Sequence, residues 1–189
     1  MNSVTMETRH CTLCGPEAPK REKYAANFSV GDLNAAIFSA RRAPDRRHFR
    51  LVECSSCGIV YSDPACAAQD LAVLYERSAV TYDDQESQIY DSYAPILDRA
   101  LATIAHRGTF AEIGGGRGFM LRYGAERGFS ELIEVEPSSD AERRFVPPSE
   151  KTRFIRDIFV PGTLAFGSLM YSANVVSSQV MPEFLLAAV

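Results

Sequence analysis

The sequence predicts an α/β chain preceded by a small β module. Three observations carry this prediction. Two cysteine pairs of one form, Cys11-Thr-Leu-Cys14 and Cys54-Ser-Ser-Cys57, are each followed at once by glycine, Gly15 and Gly58, and 39 residues separate them. From residue 109 onward, short apolar runs alternate with helix-like segments, as in a parallel sheet with helices on its faces. After the first of those runs comes a glycine-rich turn, Gly114-Gly-Gly-Arg-Gly118.

The totals narrow the function classes. A chain of 189 residues has room for one domain and a small module. The net charge of −4 and pI near 5.4 argue against a dedicated nucleic-acid binder. No stretch has the length of a membrane-spanning helix, and no apolar leader opens the chain. A cytoplasmic location is the expectation, with no membrane partner, and a reducing compartment favours metal over disulfide for the cysteines. The basic run Arg41-Arg-Ala-Pro-Asp-Arg-Arg-His-Phe-Arg50 reads as a solvated strand–turn–strand or as a phosphate-binding patch, and the acidic total favours the former.

The elements follow in order. Residues 10–63 read as short strands around the cysteines, with His48–Val52 alternating like an edge strand and Asp63-Pro64 closing the module. Residues 66–77 place Leu71, Leu74 and Tyr75 on one helical face. Residues 86–106 form a longer helix with an apolar stripe of Ile89, Tyr93, Ile96, Leu97, Ala100, Leu101 and Ile104; Pro95 is a kink point and Gly108 a stop. A strand over 109–113, a helix over 117–127, a strand over 131–136, a short helix over 138–144 and a strand over 152–156 come next, with a fourth strand over 173–180. Three segments result: a metal module over 1–65, a helical linker over 66–107 and an α/β domain over 108–189.

Two sites carry the chemistry. Four thiolates in two close pairs suit one tetrahedral Zn²⁺, so Cys11, Cys14, Cys54 and Cys57 are the predicted ligands. Redox CxxC pairs come singly, near a helix start, which makes a redox role the weaker reading. Cys66 has no near partner and reads as a free thiol. The second site is the strand–turn–helix at 109–127, whose glycine turn lets a ligand approach the backbone. Its spacing is GxGxG through Gly114, Gly116 and Gly118, and Phe119 stands where the dinucleotide fingerprint needs its third glycine. No Gly-Lys-Ser/Thr follows, so a P-loop is excluded.

Glu112-Ile-Gly-Gly-Gly-Arg-Gly118, Glu136 at the end of the second strand, and Asp157 at the end of the third together resemble the class I S-adenosylmethionine-dependent methyltransferases. The resemblance implies a Rossmann-like core, with Glu112 and the three glycines at the cofactor, Glu136 on its ribose hydroxyls, Asp157 near the adenine amine and Gln179 at the mouth of the fourth strand. The two CxxCG knuckles, the run Ser39–Arg46 and Gly58-Ile-Val-Tyr-Ser-Asp-Pro64 ahead of such a core are similar to bacterial zinc-binding methyltransferases, the sugar C-methyltransferases among them. This second resemblance implies a zinc-ribbon-like module and methyl transfer to a small molecule, with a nucleotide-linked sugar as one acceptor class.

The chain departs from that family in one respect. The family core has seven strands and four are placed here, so the cofactor half-site is expected and the acceptor half-site is not. The fourth strand would then be an open edge ahead of the apolar tail Phe184–Val189, and pairing with a second copy would cover it. His10, His48, His106, Tyr82, Tyr90 and Tyr93 offer no convincing general base, so the catalytic residue is unknown. The rival readings are a binding protein without turnover and a zinc-ribbon nucleic-acid protein.

Overall fold

The computed structural model describes residues 4–34, 47–81 and 83–160, together with Leu164 and Leu169–Tyr171. They fall into two compact units, divided between Tyr75 and Glu76. The segment 66–107, expected as one linker, is thereby split. No helix among the described residues is long and apolar enough to cross a membrane.

The first unit holds β1 (Met6–Glu7), β2 (Lys20–Tyr24), β3 (Leu51–Cys54), β4 (Val60–Ser62), β5 (Ala65–Cys66) and α1 (Ala68–Glu76). Strands β2, β3 and β4 form an antiparallel sheet with β3 in the centre, while β1 pairs with β5. The expected edge strand over 48–52 is thus displaced to Leu51–Cys54, and it is not an edge. Val52 and Cys54 are both 1% exposed, and a strand that buries such residues needs cover on both sides.

That cover comes from an element with no hydrophobic signature. Strand β2 reads Lys-Arg-Glu-Lys-Tyr and is exposed throughout. It is held by cross-strand charge: Arg21 stands opposite Glu53, with Arg21 Nη2 at 3.4 Å and Lys23 Nζ at 3.1 Å from Glu53 Oε2.

Asp63 ties the unit together from a buried position. Its carboxylate accepts from Arg9 N at 2.9 Å, Lys20 Nζ at 2.8 Å and Arg50 Nη2 at 2.8 Å. Burial pushes its pKa up, but Lys20, the Arg9 amide and Arg50 outweigh burial and leave it below the ordinary value. Stability from this carboxylate is therefore present above its unfolded pKa near 3.8 and is lost as the pH falls towards the lower folded value. Asp63→Ala is expected to destabilise the first unit by about 3 kcal/mol in urea unfolding, because two cations and an amide lose their partner together. An unchanged midpoint would contradict this anchoring role.

The second unit contains α2 (Glu86–Leu101), β6 (Thr109–Ile113), α3 (Leu121–Glu126), β7 (Glu131–Val135), α4 (Ser139–Arg144), β8 (Thr152–Ile155) and β9 (Leu169–Tyr171). All four strands are parallel, in the order β8-β7-β6-β9. The chain moves outward from β6 through β7 to β8, then returns to the other side of β6. The strand order reverses at β6, and in open sheets of this kind a ligand site lies at the carboxyl ends of the strands beside such a switch. The expected fourth strand over 173–180 lies outside the described residues; the described strand beside β6 is Leu169–Tyr171.

One sheet face buries Phe110 and Leu132 under α2 and α3, with Leu97, Leu101, Met120, Leu121, Tyr123 and Phe129. The other buries Ala111, Ile113, Ile133 and Val135 against Ile155, Phe159 and Leu164. Helix α3 lies very close to the sheet, because a Cβ on Gly124 would fall 2.8 Å from Leu132 Cδ2 and 2.9 Å from Phe110. Helix α2 passes through Pro95 and ends at Leu101, short of the expected 106, and Ile96 is exposed rather than part of the stripe. The residues before α2 are strapped to the β7–α4 turn. Ser138 Oγ donates to Ser78 O at 2.7 Å, Ser139 Oγ to Glu76 O at 3.0 Å, and Arg144 Nη1 to Val80 O at 3.0 Å.

Candidate functional site

In the first unit, the knuckles bring the four cysteine sulfurs within 4.8 Å of one another. Each knuckle closes with a bond from its glycine amide, Gly15 N to Cys11 O at 2.8 Å and Gly58 N to Cys54 O at 2.9 Å. Gly15 and Gly58 have φ of 81° and 77°, a conformation that carries a steric penalty for any other residue. A tetrahedral Zn²⁺ with bonds near 2.3 Å sets its sulfurs about 3.8 Å apart, so the cluster is the right size for such an ion. Cys11 and Cys57 are already 3.5 Å apart.

The electrostatics also favour a cation. The backbone amides of Cys57 and Ser56 face the Cys54 sulfur and bring that thiol down to about 7. The hydrogen bond with Cys57, then burial, pushes Cys14 up to about 12. Without a cation, thiols packed this closely share protons, since four thiolates would repel. The predicted ligands Cys11, Cys14, Cys54 and Cys57 are therefore all brought together, in a cluster that could hold a metal such as zinc. Cys66 stands apart, buried beside Ala67.

In the second unit the glycine turn leaves β6 at the point where the strand order reverses. Gly114, Gly116 and Gly118 have φ between 65° and 73°. The turn is braced by three glutamates on the neighbouring strand ends. Met120 N donates to Glu112 Oε2 at 2.9 Å, Gly115 N to Glu134 Oε1 at 2.9 Å, and Gly116 N to Glu136 Oε2 at 3.1 Å. Ser138 N adds a bond to Glu136 Oε1 at 2.9 Å.

The three carboxyls differ in exposure. Glu112 and Glu134 are buried at 3% and 0%, whereas Glu136 is half-buried. Burial raises all three pKa values. It raises Glu112 to about 8, and it raises Glu134 well above the ordinary value, with the Glu112 charge adding to the effect. Glu112 therefore braces the turn from below, and Glu136 is the carboxylate nearer the surface. Asp157 is exposed just beyond β8, where its Oδ1 accepts from Ile158 N at 2.7 Å. Gln179 lies outside the described residues.

Sequence reasoning missed Glu134 as a member of the site. Its signal was a lone charge inside the apolar run Leu132-Ile-Glu-Val135, in register with Glu112 on the next strand. It also missed Gly115, where a Cβ would fall 2.3 Å from Glu112 Cδ. His106 is exposed before β6, at the opposite end of the sheet from the turn.

No family model matches the chain, and no curated protein matches it either. By its geometry the chain is a four-cysteine module followed by a parallel α/β unit with a glycine turn at its strand switch.

Proposed function

We propose that the second unit binds S-adenosylmethionine as the cofactor half of a Rossmann-like methyltransferase core, and that a structural Zn²⁺ holds the first unit. The observation that carries the cofactor reading is the pairing of the glycine turn with Glu136, whose carboxylate stands at the end of β7 within hydrogen-bond distance of the Gly116 amide. A carboxylate beside the turn suits the two hydroxyls of a ribose, and each of its oxygens keeps acceptor capacity beyond the amide it already holds.

Charge separates this reading from a dinucleotide site. In a pyrophosphate site the turn's amides are free for phosphate oxygens. Here the Gly115 and Gly116 amides already serve carboxyl groups, and a third glutamate lies below. Occupied amides beside the half-buried Glu136 carboxyl disfavour a pyrophosphate. When bound, S-adenosylmethionine supplies a methyl group on a sulfonium that is already activated for transfer. The residues of this chain orient it: the turn for close approach, Glu136 for the ribose, and Asp157 for the adenine edge. The acceptor is a small molecule, with a nucleotide-linked sugar as the class suggested by the resemblance.

The position of His106 at the wrong end of the sheet favours a second reading, in which the cofactor binds without turnover. Calorimetric titration of the zinc-loaded chain with S-adenosylhomocysteine tests the shared premise. Saturable one-to-one binding is expected. A folded, zinc-replete chain that does not bind would end both readings.

A further inference from the structure

The two deepest carboxyls of the second unit do more than brace the turn. Glu112 and Glu134 are directly opposite in the β6–β7 register and lie on the sheet face that elsewhere carries Phe110 and Leu132. Both are buried, and each holds one backbone amide of the turn region, Met120 for Glu112 and Gly115 for Glu134. Glu134 Oε2 is buried with no hydrogen-bond partner among the described residues. A second negative charge in that space would be uncompensated.

Among the described residues, the charged groups shown acting on the pair are themselves acidic. Backbone amides of Met120, Leu121 and Gly115 ease the charge, while each carboxyl and Glu136, which is also acidic, oppose it. The register neighbour on β8 is Phe154, and on β9 Tyr171 stands in register with Glu112. Arg117 of the turn lies over the Phe119 ring at 5.4 Å. Holding a proton lets the pair remain buried.

We propose that Glu134 is a positioning residue for the glycine turn, locked with Glu112 into a pair that shares one proton, and that the turn keeps its ligand-ready shape only while that proton is present. Raising the pH removes the proton, places two charges beneath Gly115 and draws water under the turn. The carboxyl oxygens that hold Gly115 and Met120 then move apart, and the cradle opens. The titration of Glu112 near 8 puts this opening at mildly alkaline pH. The consequence for ligand affinity rests on the cofactor reading above; the latch itself does not.

The test uses the full zinc-loaded chain with carboxyl-labelled glutamate. Carbon-13 spectra are expected to show one titration step of the Glu112–Glu134 pair above pH 7, the loss of its shared proton, with the Gly115 and Met120 amide signals moving at the same midpoint. Glu134→Gln keeps the acceptor for Gly115 and supplies a permanent donor in place of the shared proton, so it is expected to abolish that inflection while the turn stays formed. Glu112→Gln provides the same comparison if the first variant folds poorly. The affinity for S-adenosylhomocysteine is expected to fall about tenfold per pH unit above the midpoint in the wild type and to stay level in Glu134→Gln. If all glutamate carboxyls titrate near 4.5, or the two amides stay still from pH 6 to about 9 while the carboxyls titrate, the latch is overturned. Absence of S-adenosylhomocysteine binding at every pH would remove the cofactor reading and leave the carboxyl and amide results to decide the latch.

Discussion

Stripping the metal from the four-cysteine cluster is expected to unfold the first unit. Its three-stranded sheet is built from strands of five, four and three residues, and β2 buries none of its side chains. Its buried apolar residues among those described are few and small: Cys11, Leu33, Val52, Cys54, Ala65, Cys66 and Ala67. A core of that size does not offset the chain entropy of folding, and small modules of this kind depend on a metal or disulfides. The binding energy of a Cys₄ zinc site, about 10–16 kcal/mol at neutral pH, is large enough to supply the deficit. Chelation of the full chain should therefore release one equivalent of zinc and abolish hydrogen-exchange protection at Val52 and Cys54 together. Cys54→Ser should do the same without chelator, whereas Cys66→Ser should keep its zinc. Because protons compete with the metal for thiolate, the affinity should fall as the pH falls. Protected β3 amides in a metal-free chain would refute the proposal that zinc holds this unit.

The parts of the fold legible in the sequence were those with a strong local signature. Strands β6, β7 and β8 fall within a residue of expectation, because each is a short, largely apolar stretch alternating with helix-like segments. The knuckles were legible because thiol spacing and the following glycine leave few alternatives. Strand β2 was not, since its strand character comes from pairing with Glu53 and not from hydrophobicity. The central position of β3 was hidden for the same reason. Helix α3 is shorter than its pattern, beginning at Leu121, because the residues from Gly118 to Met120 form the turn that Glu112 braces. In the site, Glu136 was legible from its place at the strand end, and Glu134 was not. The structure uses both, and only the cross-strand register shows that Glu134 meets Glu112.

Within the second unit, Gly118→Val is expected to be among the most damaging single changes. Gly118 has φ of 73°, where a β-branched residue carries a penalty of roughly 1–2 kcal/mol. A Cβ there would also stand 2.8 Å from Leu121 Cδ1 and 3.0 Å from Phe145 Cε2. Leu121 is fully buried in the core beneath α3, so it cannot swing aside without disturbing Phe110 and Leu132. Overpacking of this kind adds about 1–3 kcal/mol. Together these place the loss near 3–4 kcal/mol in thermal or urea unfolding. The turn would shift where Gly118 N meets Gly115 O at 3.3 Å, taking the Gly115 and Gly116 amides off their carboxyls. Affinity for S-adenosylhomocysteine should drop by roughly 100-fold or more, a binding loss of about 2.7 kcal/mol. Gly128→Ala is the matched control: φ is 79° there, but nothing lies within 4 Å of the added Cβ. It should cost the backbone penalty alone and leave binding intact. If Gly118→Val binds as the wild type does, the ligand site is not at this turn. If Gly128→Ala also loses binding, the effect of Gly118→Val comes from the stability of the unit and not from the shape of the cradle.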